Sequence, residues 1–280
     1  MNQTYNELLR SVTEDYLESL DLSNLPLATT IEREILESVN LEVARYNKGA
    51  EDPPGSGEFP YPKKGKEKYE ILKTLTHSQI GMILIALHHA KRIYYGKVND
   101  AEGGVIGFYA TEGSRRGIYD VCPPDVASLV RSYHVSASKQ FIGEVLDYLS
   151  SEAPKAARCS DKDLVAVNNG IYNYRTKELL PFSPEWIFTS KSGVNFVDNA
   201  QNVVIHNEDD GTDWDVESWM NSLSDDPEIV VLLWEVLGAV IRPNGPWNKA
   251  AWLYSPSGNN GKGTLCRLMR NLCGDEAHTS

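Results

Sequence analysis

The chain has 280 residues, 41% of them hydrophobic, and its 27 Lys and Arg against 39 Asp and Glu give a formal charge of −12. That length allows one large or two ordinary domains, and the acidic balance excludes a protein coated in basic surface for non-specific nucleic-acid binding, though not a local basic patch. No apolar run reaches the length of a membrane span, and Met1 to Leu20 is too acidic and polar for a signal peptide, so a cytoplasmic protein with no membrane partner is expected.

In chain order, Leu8, Val12, Tyr16, Leu17 and Leu20 follow one helical period, and Ile31, Ile35, Leu36 and Val39 follow a second. Pro26 lies between them, and Thr29 or Thr30 is the expected N-cap of the second helix. From Asn47 to Lys68 the sequence is dense in Pro, Gly and Lys, a composition that cannot bury a core and reads as a linker.

Thr76-His77-Ser78 then opens an apolar helix carrying Ile80, Ile83, Leu84, Leu87 and Tyr94, expected to stop at Gly96. Val105 and Gly107 to Tyr109, a Glu-Gly-Ser-Arg-Arg-Gly turn, and Ile118-Tyr119 read as a hairpin. Two helical patterns follow, around Pro124 to Tyr133 and Ser138 to Leu149. Helix, hairpin and helices in this order suit a winged-helix-like α+β module. Basic residues gather in this block, and they are either solvated faces or a DNA-facing surface. On the second reading the contacts are Lys91, Lys97, Arg115 and Arg116, because an Arg-rich turn between two β segments can reach a phosphate backbone.

The remaining chemistry-bearing residues point to ordinary roles. Cys122, Cys159, Cys266 and Cys273 never form C-x-x-C, which indicates neither a zinc site nor a disulfide framework. His88 and His89 are read as adjacent on a helix, facing different ways, and His77, His134 and His206 show no ligand-like spacing with carboxylates. The acidic run Glu208 to Asp215 lacks the glutamate that closes a calcium loop, so it reads as a solvated lead-in to a helix over Trp214 to Leu223. Asp161-x-Asp163 precedes a strand over Leu164 to Val167 and Asp213-x-Asp215 sits in the acidic run, so no carboxylate pair lies on a strand as primase chemistry requires.

The most informative stretch is Asn248 to Gly274. It reads as a short strand (Ala250 to Tyr254), a small-residue loop, and a helix opening near Gly263 with Leu265, Leu268, Met269 and Leu272 on one face. A phosphate cradle needs that order, because glycines turn backbone N–H groups inward, the helix start adds its positive end, and a lysine beside the last glycine reaches the β- and γ-phosphates. Gly258, Gly261, Lys262 and Gly263 supply those parts. Pro256 stands where the usual first glycine would be, and Thr264 follows one place after the usual hydroxyl position. The alternative is a Gly/Asn-rich surface turn before an ordinary amphipathic helix.

Ser257-Gly258-Asn259-Asn260-Gly261-Lys262-Gly263-Thr264 resembles the Walker A loop of superfamily-three helicases, in the form found in phage and plasmid primase-helicases of the poxvirus type. Asp163 to Pro184, with its Asn-Gly hairpin and Pro-Phe-Ser-Pro exit, is similar to the family's segment upstream of the motor, and Trp219 to Gly238 resembles the helix pair before the first motor strand. The resemblance implies a ring-forming, ATP-hydrolysing DNA helicase acting in replication. ATP and Mg2+ would be held by Gly258, Asn259, Asn260, Gly261, Lys262, Gly263 and Thr264, with Thr264 as the metal's hydroxyl ligand. Partners would be DNA, further copies of the chain in a ring, and other replication proteins. Walker B, sensor and arginine-finger residues would lie downstream, so this chain is expected to be the N-terminal part of such a protein and inactive alone. The alternative is a non-catalytic module for DNA binding, oligomerisation or partner docking. The expected fold is α+β, with a helical N-terminal region (1–46), a linker (47–68), a winged-helix-like central module (69–213), and a helical lead-in with the truncated start of an α/β, AAA+-like P-loop domain (214–280).

Overall fold

Why each segment takes its form follows from a computed structural model that describes residues 4–51, 68–98, 103–121, 126–242, 244–245, 248–254, 258 and 260–274. The architecture is mixed α and β, with helices first and small sheets after. The chain divides into two compact units, Met1–Tyr109 with Asp120–Ala157, and Ala110–Tyr119 with Arg158–Ser280. Among the described residues no helix is long and apolar enough to cross a membrane.

In the first unit, helix α1 (Tyr5–Glu18) starts with a capping box, in which Glu7 N–H donates to Thr4 Oγ1 at 3.3 Å and Thr4 N–H donates to Glu7 Oε2 at 2.7 Å. Helix α2 (Ala28–Glu51) buries Ile31, Ile35, Val39 and Val43, which recur every four residues on one face, in the same core as Leu8, Leu9 and Leu17. The expected cap at Thr29 or Thr30 is corrected. The N–H groups of Thr30 and Ile31 already bond to Leu27 O, so the helix begins at Ala28, just past Pro26, whose missing N–H is no loss there. The helix also runs through Glu51, so the first residues of the expected linker are helical, and residues 52–67 lie outside the described residues. Asn47 and Asn40 fix the returning chain by bonding the backbone of Tyr69 and of Leu72, each as both donor and acceptor.

Helix α3 (His77–Leu87) opens at Thr76 as expected, with a second capping box closed by Gln79. It is apolar nearly all round because α1 and α5 (Lys139–Glu152) both pack on it. Its buried Gln79 donates to Thr13 Oγ1, which donates to Leu9 O, leaving neither polar group stranded. Gly96 does not end this helix. It stops at Leu87, His88 caps it, and His89 takes φ 48°, a left-handed value that breaks the helix. Lys91–Tyr94 then forms strand β1, favoured because it has a partner on each side, antiparallel β2 (Val105–Tyr109) and parallel β4 (Lys155–Ala157). With β3 (Tyr119–Asp120) the order is β3-β2-β1-β4, so the expected β2–β3 hairpin is present. Helix α4 (Val126–Tyr133) and α5, capped by Ser138, match the two expected helical patterns.

In the second unit, β5 (Leu164–Val167), β6 (Gly170–Asn173) and β7 (Glu178–Leu180) form an antiparallel sheet, with Asn168-Asn169 as the turn between Val167 and Gly170. Ile118, Leu164, Ala166, Ile171 and Phe188 make its core. The acidic run is the turn and second strand of a hairpin, β8 (Ile205–Asn207) against β9 (Thr212–Trp214). Trp214 therefore ends a strand and does not begin a helix. Asp215 caps α6 (Val216–Asn221), accepting from Ser218 N–H at 2.8 Å, and bonds from Ser218 and then Asn202 hold its carboxyl down at about 2. Helices α7 (Pro227–Val240) and α8 (Lys262–Cys273) close a small core of Met220, Val230, Leu237 and Leu265.

Candidate functional site

The Gly-rich stretch before α8 is half as expected. Ala250 to Tyr254 is not a strand. Among the described residues no strand lies beside it to complete a ladder, and Trp252 and Tyr254 are 86% and 77% exposed. The helix does open on the loop, at Lys262, with Gly261 as N-cap at φ 81° and its carbonyl accepting from Leu265 N–H at 2.9 Å. Gly261 is required twice over, by that φ and because a Cβ there would come 2.6 Å from Leu223 Cδ2. At Gly258 and Gly263 an added Cβ would meet nothing within 4 Å, so the space in front of both is open.

Lys262 Nζ donates to Asn260 Oδ1 at 2.7 Å, and Thr264 is exposed in the first turn. Pro256, Ser257 and Asn259 lie outside the described residues. The described part fits a phosphate group, offering a helix start with its positive end, open space at two glycines, and a cation held beside them. Among the described residues no cluster of three His, Cys, Asp or Glu is placed to hold a metal ion. Cys159, Cys266 and Cys273 are unoxidised thiols.

The four residues expected to meet DNA are divided between the units. Lys91 is half-buried on β1 and Lys97 is exposed just after it. Arg115 and Arg116 lie in the turn of the second unit, which is closed by Gly117 N–H on Ala110 O at 2.7 Å and Ala110 N–H on Ile118 O at 3.0 Å. Arg116 is exposed, but Arg115 does not project from the tip. Its Nη2 folds back to Thr189 O at 2.9 Å and Tyr119 O at 3.4 Å.

Lys191 joins them. It lies over the Phe182 ring, 5.5 Å from its centroid, and donates to Arg116 O at 2.8 Å. Burial, then Arg116 and Arg115, lower its proton affinity. Nothing in the sequence marks Lys191, which is far from the turn in the chain and belongs to no motif.

Two other expectations are settled by geometry. His206 and Asp213, directly opposite in the β8–β9 hairpin, pair at 2.7 Å, a carboxylate partner that linear spacing conceals. Asp163 takes Arg175 on one oxygen at 2.7 and 3.1 Å and lies 3.7 Å from Arg242, while Asp161 Oδ1 accepts the Asp163 N–H, so this acidic pair serves a turn and an ion-pair clamp at the start of β5.

No curated protein matches the chain. The family described as D5 N terminal like matches residues 92–225, from within β1 to the turn ahead of α7. Residues 92–225, a little under half of the chain, are thus similar to a D5 N-terminal-like region.

Proposed function

We propose that the chain is the N-terminal and linker part of an ATP-dependent DNA helicase of phage or plasmid replication, reaching into its motor as far as the phosphate loop. One observation carries this reading. The D5 N-terminal-like region runs through α6 and is followed, in order, by α7 and by a Gly-Lys-Gly-Thr turn that opens α8 from a left-handed glycine. On this reading α3, the β2–β3 hairpin, α4 and α5 are the winged-helix-like module, and the whole protein works as a ring on DNA.

ATP with Mg2+ would supply the phosphoryl group whose transfer drives movement. The N–H groups of Lys262, Gly263 and Thr264 would face its phosphates, Lys262 would move from Asn260 to the β- and γ-oxygens, and the Thr264 hydroxyl would take the metal. Lys262→Ala tests this. In the complete protein it should abolish ATP turnover while shifting stability by no more than about 0.5 kcal/mol, since the side chain is held only by a loop amide. Full turnover in that variant would refute the assignment.

Residues 1–280 alone should not turn ATP over, because phosphoryl transfer needs metal-binding, water-orienting and arginine groups together, and among the described residues no acidic cluster stands ready. Steady-state hydrolysis that disappears with Lys262→Ala would contradict this. The absence of a ladder at Ala250 to Tyr254 favours a second reading, a non-catalytic module that binds DNA or its own neighbours. Fluorescent ATP separates the two, since binding that requires Lys262 excludes the second.

A further inference from the structure

The β8–β9 hairpin of the second unit belongs to no larger sheet. Its two strands pair only with each other, and among the described residues no third strand lies along the outer edge of either. Ile205 and Trp214, directly opposite in the register, stay 56% and 44% exposed, and Val203 and Val204, which lead into β8, are exposed as well. A lone two-stranded hairpin is marginal in water, yet this one is held at its base. Trp214 lies against Trp219 of α6, their ring centroids 6.3 Å apart, and Asn202 Nδ2 donates to Asp215 Oδ1 at 2.6 Å. Proteins normally blunt an open edge with Lys or Pro. Val203-Val204-Ile205-His206-Asn207 carries neither, so the outer edge of β8 can take another strand through the N–H and C=O groups that such an edge presents.

Charge selects the occupant. No Lys or Arg stands between Lys191 and Arg242, and the hairpin with the start of α6 carries Glu208, Asp209, Asp210, Asp213, Asp215 and Glu217. That field repels a phosphate backbone, which excludes DNA at this edge. Among the described residues no three of His, Cys, Asp or Glu converge as a metal site requires, so the acids are strung along the ribbon and not gathered on a point cation. A ligand that matches them is extended and carries several positive charges of its own.

We propose that the outer edge of β8 docks an extended cationic peptide segment of a partner protein. The segment adds a third strand to the hairpin, lays an apolar side chain against Ile205, and sets Lys or Arg beside Glu208 and Asp209 in the turn that follows. This docking does not depend on the nucleotide reading of the loop.

The probe is a fluorescein-labelled peptide alternating Lys and Val, titrated into the full 280-residue chain and followed by fluorescence anisotropy. Binding is expected, and it should weaken as salt is raised. The same peptide with its backbone nitrogens methylated keeps every charge and loses its strand donors, so it should bind about tenfold more weakly. A peptide alternating Glu and Val should not bind. Glu208→Lys together with Asp209→Lys, at two exposed positions, should lower affinity for the Lys-Val peptide by about tenfold or more while leaving the melting temperature unchanged. Equal binding of the methylated peptide would overturn strand addition and reduce the hairpin to a patch of counter-charge. Binding that survives the double reversal, or binding of the Glu-Val peptide, would overturn the charge match. No binding of the Lys-Val peptide overturns the docking site altogether. Because the methylated peptide is read on the unaltered chain, the test holds even where the double reversal disturbs the turn.

Discussion

Two glycines on either side of Lys262 separate architecture from ligand access. Gly261→Ala puts a Cβ into both a left-handed backbone and Leu223, so it should destabilise the protein by about 1–3 kcal/mol in denaturant titration. Gly263 sits inside α8 with open space before it, and Ala there should be neutral or stabilising by up to about 1 kcal/mol. If Gly263→Ala nevertheless weakens nucleotide binding, the loss comes from the methyl blocking phosphate approach. A fall in stability at Gly263 instead would show that the loop is not as open as described.

His88 gives the first unit a pH dependence. Its Nε2 lies 2.9 Å from Tyr133 Oη, and burial, then His89, lower its affinity for a proton below that of the unfolded chain, near 6.5. A histidine with a depressed folded pKa contributes stability that is complete above the unfolded value and is lost as pH falls through the window beneath it. Melting temperature should therefore drop between about pH 7 and pH 5, and His88→Gln should flatten that drop. An unchanged pH profile in the variant would assign the effect elsewhere.

Among the elements, α3 and α5 meet at Gly81, where an added Cβ would lie 2.2 Å from Tyr148 Cδ1. Ala at that position must push the ring or the helix aside and should cost about 1–3 kcal/mol, readable as a lowered denaturation midpoint with an unchanged slope. Wild-type stability would show that the ring swings clear. Local signals were legible where local chemistry decides. Thr76 and Ser138 announce their helices, the Arg-Arg-Gly turn announces the β2–β3 hairpin, and Asn168-Asn169 announces β5–β6.

What sequence could not show is pairing at a distance. The apolar pattern resumes at Ile93 after His88-His89-Ala90-Lys91-Arg92 and hides the change from α3 to β1, because only β2 and β4, far along the chain, make Lys91–Tyr94 a strand. The reverse holds at Ala250 to Tyr254, which reads as a strand yet lacks a neighbour among the described residues. Around the Arg115-Arg116 turn, the sequence offered the arginines but not Lys191, since their meeting depends on how the Ala110–Tyr119 turn seats on the chain around Thr189.

At the scale of the whole molecule, the second unit is not continuous in sequence, and Ala110–Tyr119 is its inserted piece. Ile118 is 2% exposed in its core, Tyr119 N–H bonds Phe188 O at 2.7 Å, and Tyr119 Oη bonds Pro184 O at 2.8 Å. A fragment of residues 158–280 should therefore expose Ile171 and Phe188, bind a hydrophobic dye and melt without a cooperative transition. A sharp melt like that of the intact chain would show that the inserted turn is dispensable. One helix then gains a meaning that neither of its ends has alone. Helix α8 spans 12 residues, Lys262–Cys273, about 18 Å, from the loop to a last turn whose Leu272 carbonyl accepts from Ser192 Oγ and Gly193 N–H, next to Lys191. The last turn of the helix that carries Lys262 is therefore held by the chain around Ser192, which satisfies a terminal carbonyl and keeps that turn from fraying.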